Sequence, residues 1–511
     1  MEHEHPRTRN PGPAQETASV DLLVFGGGAE ASLLAAALAA EGWSVLLLEP
    51  RGTASAISAQ RLTGLAAQTI LELSLGEEMA SRRFPRAERL QILGRNAEEC
   101  FEVPMSSAAW HVRKADLEQV LLRHALSRGV IHRRGQALRP LTEGSRVVGL
   151  VWEPASVGRA PERQTRCSTL VDASGSEAFL SRQAIAGPRT FGEGQQQVQV
   201  QGLFRADGVQ PGVARLFHDG PGHWASWTPL STELVAVSVA VPQATYQRFA
   251  RTPAQLLAWG LESIHPELQQ ALGSAAPAGD VELERLVPYR VEPRAGEGWL
   301  CLGAAHRKGD PVLDLELLLA MAEASDVAAT LREAPTRRVG EQVLEGLVAR
   351  AEAAWRTAAE LTSYFWRSPG FFRQLVQGRL GSHFLDLLEG RSLLAPEPEV
   401  LRVVRGNLTA RSLEGDPDLR AEAIAHRVRT RCSGDREVEA AFLELGENGA
   451  LLSLIVGEGA QENLLHDFEE SLYAEFGREF LVVLRWSAAE GGALSAPDFP
   501  GARRIFDRRA S

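Results

Sequence analysis

Three glycine-bearing stretches and one acidic residue carry most of the chemistry this sequence offers. In the first, an apolar run DLLVF meets GGGAEAS, an alanine-rich segment LLAAALAAEGW and a second apolar run, SVLLLEP. Gly26, Gly28 and Ala31 fill the spacing G-x-G-x-x-G/A, and Glu49 closes the second run about 20 residues later. The first glycine permits a tight turn, the second lets a pyrophosphate reach backbone N–H groups, and the small third residue lets helix and strand pack closely. A carboxylate at the end of the second strand accepts hydrogen bonds from both ribose hydroxyls. The set points to a dinucleotide held at a helix N-terminus.

Two later turns face the same edge. Asp172 and Gly175 lie in VDASG at the end of an apolar run, and Gly303 follows the short run WLCL. From 303 to 316 the chain reads GAAHRKGDPVLDLE, with an Asp310-Pro311 turn, a loop histidine (His306) and a cation, Lys308, able to meet a phosphate. Lysine is scarce: Lys114 and Lys308 are the only two in 511 residues. Arg113 opens a helical pattern, VRKADLEQVLLRHALSRGV. In HWASWTP, Trp224, Trp227 and Pro229 are the candidate lining of a substrate pocket.

Positioning these groups requires an α/β fold. A continuous apolar strand feeding a glycine turn and a helix is the unit of a parallel sheet covered on both faces. It predicts a Rossmann-like nucleotide domain over 21–190 and 296–335. Between these, over 191–295, VQVQGLF, HWASWTPL and ELVAVSVAVP alternate apolar and polar side chains. That alternation predicts an inserted antiparallel sheet forming a substrate domain. VVGLVWE and CSTLVDASG flank an arginine-rich gap and read as a hairpin. Residues 336–394 read as helical, APEPE (395–399) as a linker, and 400–511 as a small α/β domain with strands VEAAFLEL, LLSLIVG and REFLVVLRW. Residues 1–20, rich in charge and proline, read as a disordered tail.

A chain with 44% hydrophobic residues can bury a large core in two to four domains. Its net charge of −11 excludes a general nucleic-acid binder, which presents a basic face. Cys100, Cys167, Cys301 and Cys432 form no CxxC pair, so reduced thiols in a cytoplasmic protein are expected, with no metal site. The longest apolar stretch, 33–40, falls well short of a bilayer span.

In this order the motifs resemble the flavin-dependent halogenase and FAD-dependent monooxygenase family, which has the fold of aromatic hydroxylases. The resemblance runs from about Asp21 to Arg391, on GGGAEAS with Glu49, VRKADLEQVLLRHA, VDASG, WLCLGAAHRKGDP and SYFW at 363–366. It implies FAD as cofactor, with Gly26, Gly28 and Ala31 at the pyrophosphate, Glu49 at the ribose, Arg113 at the dinucleotide, and Asp172, Gly175 and Gly303 supporting the nucleotide edge. It also implies a small-molecule or carrier-protein-bound substrate, and a flavin reductase or pathway protein as partner.

The third motif departs from the family. Ala304 stands where the family has an aspartate that meets the ribityl or pyrophosphate part of FAD, and Glu316 where it has a glycine opening a helix toward the flavin pyrimidine edge. A hydrogen bond lost in such a site costs on the order of 1–3 kcal/mol. A carboxylate about 4 Å from a reduced flavin costs about 1 kcal/mol in water and about 4 at an effective dielectric near 20. FAD is therefore expected to be held weakly or lost. The family also passes hypohalous acid through a lysine on an early strand; none precedes Lys114, and the W-x-W-x-I-P signature survives only in part as HWASWTP.

The expectation is an FAD-dependent oxidoreductase acting on an apolar or aromatic substrate, with halogenation not expected. The alternative is a catalytically degenerate homologue serving as a binding or scaffold subunit in a biosynthetic pathway. The C-terminal unit is similar to the lid domain of adenylate-forming ligases, without its lysine, and is expected to be an interaction module.

Overall fold

The computed structural model describes residues 18–508 apart from 51–56, 156–160, 335–340, 392–399, 405–416, 488–501 and breaks of four residues or fewer. The expected linker at 395–399 and most of the expected tail lie outside the described residues. Strand structure begins at Ala18, ahead of the expected boundary. The chain divides into two compact units, 1–362 with 375–394, and 363–374 with 395–511.

In the first unit the strands run β1 (Ala18–Phe25), β2 (Val45–Glu49), β3 (Ala59–Leu62), β4 (Arg89–Leu93), β5 (Phe101–Pro104), β6 (Trp110–Arg113), β7 (Ile131–Glu143), β8 (Arg146–Pro154) and β9 (Arg163–Asp172). They continue with β10 (Arg189–Phe191), β11 (Gln197–Arg205), β12 (Val213–His218), β13 (Trp224–Pro229), β14 (Leu234–Pro242) and β15 (Glu282–Leu286). The last are β16 (Tyr289–Val291), β17 (Ala295–Gly296), β18 (Trp299–Cys301) and β19 (Arg307–Lys308).

β1 is central in the nucleotide sheet, parallel to β2 on one side and β9 on the other. The sheet extends in parallel from β2 to β7 and from β9 to β18, and β8 forms the expected antiparallel hairpin with β9. Leu22, Leu23, Val24 and Phe25 are all buried, which is what a strand covered on both faces requires. At the end of β1 a Cβ on Gly26 would lie 2.0 Å from the Ala173 carbonyl oxygen, so only glycine lets β1 and the turn after β9 meet. Helix α1 (Ala29–Ala40) follows and buries Ala31, Leu34, Ala35 and Leu38.

The substrate sheet has the order β15-β11-β14-β13-β12-β4-β5. β4 and β5 come from residues expected inside the nucleotide domain, so the inserted domain is not confined to 191–295. The reason is the period of RLQIL: Leu90 and Ile92 are buried and alternate with Arg89 and Gln91, matching β12 alongside it. One face of the sheet packs Val198, Val200, Phe204, Val237, Val239 and Trp227 against Leu256, Leu257 and Leu268 of helices Pro253–Ser263 and Pro266–Leu272. Each such side chain contributes roughly 1.5–3 kcal/mol on burial.

The expected helical stretch forms helices Leu315–Arg332, Glu341–Arg367, Pro369–Gln377 and Gly381–Leu388. In the second unit, β20 (Val438–Gly446) and β21 (Gly449–Val456) form a hairpin, β22 (Leu481–Ser487) lies parallel to β21, and β23 (Arg503–Asp507) lies antiparallel to β20. Helices Pro417–Gly434 and Glu462–Phe476 contribute Ile424, Val428, Phe468 and Leu472 to its core. No described helix is long and apolar enough to cross a membrane.

Candidate functional site

The dinucleotide trench begins at Gly28, the N-cap of α1, which has no side-chain cap. The point where a Gly28 Cβ would stand lies 2.6 and 2.7 Å from the two carboxylate oxygens of Glu30. On the other wall, Gly303 holds φ +58, and its Cβ position lies 3.5 Å from Glu30 Cγ and Oε1. The Glu30 carboxylate thus stands between the first and third glycine turns, at the N-terminus of α1. Burial raises its carboxyl above the ordinary range; its own backbone N–H and Lys114 pull it back, and Glu323 adds to the rise. Sequence reasoning gave Glu30 no role. The available signal was a charged side chain at an x position of the glycine motif.

The other expected cofactor residues have protein partners. Glu49 Oε2 lies 2.9 Å from His132 Nε2 and 3.0 Å from Arg134 Nε, both on β7. Arg113 Nε donates to Asp116 at 2.7 Å, at the start of helix Lys114–Ser127. Asp172 is fully buried; its Oδ1 accepts from the Ser174 N–H at 3.0 Å and its Oδ2 from the Leu180 N–H at 2.7 Å. The structure therefore makes Asp172 a cap that shapes the second turn, where Gly175 takes φ +63, and leaves it no oxygen free for a ligand.

In the third stretch, the Ala304 carbonyl accepts the Tyr289 hydroxyl. Asp310 accepts the Val312 N–H at 3.1 Å, and Glu316 Oε1 accepts the Gly309 N–H at 2.9 Å, folding the carboxylate back on the loop. Beneath the turn lies a buried cluster absent from the sequence reading. Glu323 receives Arg294, the His306 Nε2 at 3.0 Å and the Gly303 N–H at 3.0 Å. Burial alone would raise the Glu323 carboxyl, but His306 and Arg294 hold it down at about 2. Burial lowers His306, which is locked into this cluster and is not a free base.

Beyond the trench a cavity of about 110 Å³ opens over the substrate sheet. Both lysines of the chain are on its wall. Lys308 is buried and bonded to Glu284. Lys114 lies among Glu118, Glu30, Glu284 and Glu316; burial opposes its charge, while these carboxylates together raise it. Glu118 is pushed up to about 7 by burial, against the pull of Lys114. Trp224 lines the cavity, its indole N–H donating to Gln197 at 3.0 Å. Trp227 and Pro229, expected beside it, do not line it. They alternate with Trp224, Ser226 and Thr228 along β13, so Trp227 falls in the core on the opposite face. Among the described residues, no cluster of His, Cys, Asp and Glu is arranged to hold a metal.

No family model matches the chain. A 1H-pyrrole-2-carbonyl-(peptidyl-carrier protein) brominase of Pseudoalteromonas luteoviolacea is 29% identical over 368 residues, covering 71% of this chain and 89% of the relative. A flavin-dependent halogenase of Armillaria mellea is 27% identical over 359 residues, 62% of this chain and 69% of the relative. The solved structure of the flavin-dependent brominase Bmp2 superposes with a TM-score of 0.73 at 27% identity, covering 78% of this chain and all of that one. The myxobacterial chondrochloren halogenase, at 21% identity and a TM-score of 0.62, shares the fold over 75% of this chain and 98% of its own.

Proposed function

We propose, from the membership of this chain in the flavin-dependent halogenase and monooxygenase family, that it is an FAD-dependent oxidoreductase of the halogenating type acting on a carrier-tethered aromatic substrate. The relatives named above are halogenases, and one acts on a ring attached to a peptidyl-carrier protein. The expectation against halogenation rested on the lack of a lysine before residue 114 and on the partial W-x-W-x-I-P signature, HWASWTP. Likeness to halogenases counts against it, and so does the fold, which brings Lys308 from far along the chain to the cavity wall. The observation that carries the proposal is that a chain with only two lysines places both on that cavity, each beside a carboxylate.

The trench fits FAD on one condition. Its walls at Gly28 and Gly303 carry no side chain, and what stands between them is the far end of a flexible glutamate, not backbone. With Glu30 swung aside, Gly26, Gly28, Ala31 and Gly303 would hold the dinucleotide, and the N–H groups at the start of α1 would face its diphosphate. When bound, FAD supplies the oxidising chemistry. The chain's own part is to present Lys308 Nζ as a proton-bearing amine with Glu284 as its acceptor, and to fix Trp224 through Gln197 as a ring wall. The core packed behind β11, β13 and β14 closes that side of the cavity to water.

The second reading, a non-catalytic homologue, is favoured by the carboxylates Glu30 and Glu316 in the first turns of the two helices that follow the first and third glycine turns. One experiment separates the two. The protein is incubated with FAD, a flavin reductase, NADH, oxygen, chloride or bromide, and a pyrrole-carbonyl carrier protein, and the carrier is analysed by mass spectrometry. A ring hydrogen exchanged for halogen is expected; unmodified carrier with FAD bound would refute the proposal and favour the scaffold reading.

A further inference from the structure

The cavity face of the substrate sheet is polar. Gln199 and Gln201 on β11, Ser226 and Thr228 on β13, and Ser238 on β14 all line it. Strand register puts three of them in one row, with Gln201 opposite Ser238 and Ser238 opposite Ser226, while Gln199 and Thr228 each lie two residues along their strands, opposite Ala240 and Ala236. Gln199, Gln201, Thr228 and Ser238 are each 9% exposed or less. Among the described residues, none of the five side chains has a hydrogen-bond partner. Across the cavity on β3, the buried Gln60 Oε1 is also without one.

Of these six, only the Gln60 oxygen is closed off from water without a partner, while the other five present unpaired amides and hydroxyls to the cavity, where a molecule that enters can pair them. The charged groups on the wall already have partners: Lys308 has Glu284, Arg61 has Asp314 at 2.8 Å, and Glu316 has the Gly309 N–H. What remains open is a set that both donates and accepts without net charge. A void of about 110 Å³ holds little more than one ring.

We infer that this cavity selects a small neutral ring carrying a donor beside an acceptor, such as a ring N–H next to a carbonyl, and that Gln199 and Gln201 set this preference. The inference rests on the proposed function in taking the cavity as its substrate site, and it narrows the expected apolar or aromatic substrate to a ring with polar groups. A site built to hydrogen-bond its ligand discriminates strongly against an analogue that lacks those groups, because its own polar atoms would then stay unpaired.

The test measures binding alone, by calorimetry and ligand-observed NMR on the full chain without flavin or halide, using 2-pyridone and toluene as probes. Saturable 2-pyridone binding is expected, with toluene at least about tenfold weaker. Gln199→Leu and Gln201→Leu should each weaken 2-pyridone about tenfold or more and bring toluene closer to it, with thermal midpoints little changed because neither amide has a protein partner to lose. Toluene binding as tightly as 2-pyridone, no 2-pyridone binding, or unchanged binding in folded variants would overturn the inference. Saturable 2-pyridone binding in a protein that never halogenates would sink the proposed function and leave this inference standing.

Discussion

Replacing Glu30 by alanine removes the carboxylate between Gly28 and Gly303 and leaves both glycine turns intact. A diphosphate oxygen at the α1 N-terminus would come within about 4 Å of that carboxylate, a repulsion of about 1 kcal/mol in water and about 4 at an effective dielectric near 20. Glu30 is only partly buried and Lys114 offsets some of its charge, so the lower half of this range applies. A gain of about 1–2.5 kcal/mol corresponds to FAD binding about 5- to 70-fold tighter in Glu30→Ala.

The pH dependence has a definite sign. Burial raises the Glu30 carboxyl, so acidification neutralises it sooner than an ordinary glutamate, and parent affinity for FAD should improve as pH falls. Facing it, Lys114 stays charged, Glu323 stays ionised because it is held at about 2, and Glu118 gains its proton near 7. The variant should keep only the weaker dependence due to Glu118 and Glu316. Flavin fluorescence titrations at several pH values would measure both. Equal FAD affinity in folded parent and variant would refute the reasoning.

Glu323→Gln should destabilise the first unit by about 3–5 kcal/mol, because it leaves Arg294 buried without its counter-ion; denaturant unfolding would measure the loss. In the parent, Glu323 has a lowered pKa, so its contribution is present above the ordinary glutamate range and is lost as pH falls from about 4.5 toward 2. Glu118 acts in the opposite sense: its raised pKa makes stability fall as pH rises from about 4.5 to 7, and Glu118→Gln should recover on the order of 1–3 kcal/mol at pH about 8, read from thermal midpoints. Ala304→Asp with Glu316→Gly should tighten reduced FAD more than oxidised FAD, because the removed carboxylate repels the charge that reduction adds; equal gains in anaerobic titrations would contradict this.

What the sequence revealed followed from local demands. The glycine turns were legible because the need for glycine is local, set at Gly26 by the Ala173 backbone against it and at Gly303 by its own φ of +58. The substrate sheet was legible from alternation, but alternation does not say which face is inward, and this is why Trp227 was assigned to the pocket while Ser226 and Thr228 were passed over. β4 and β5 were misplaced because β4 joins the sheet through β12, which lies more than a hundred residues away, and β5 joins it only through β4. The Arg294–His306–Glu323 cluster and the Lys308–Glu284 pair were invisible for a similar reason: each joins residues from separate elements, and no spacing rule connects them. Asp172 was read as supporting the nucleotide edge, but its partners, the Ser174 and Leu180 N–H groups, were not legible, because a carboxylate ending a strand looks the same whether it faces a nucleotide or caps the next turn.

The most direct test of halogenating chemistry at this cavity is product analysis of the reconstituted reaction with the parent, Lys308→Met and Lys114→Met side by side, recording FAD binding for each. The account predicts halogenated carrier-bound product from the parent and its loss in Lys308→Met with FAD still bound. Undiminished halogenation by Lys308→Met, or no halogenated product from an FAD-loaded parent, would contradict it.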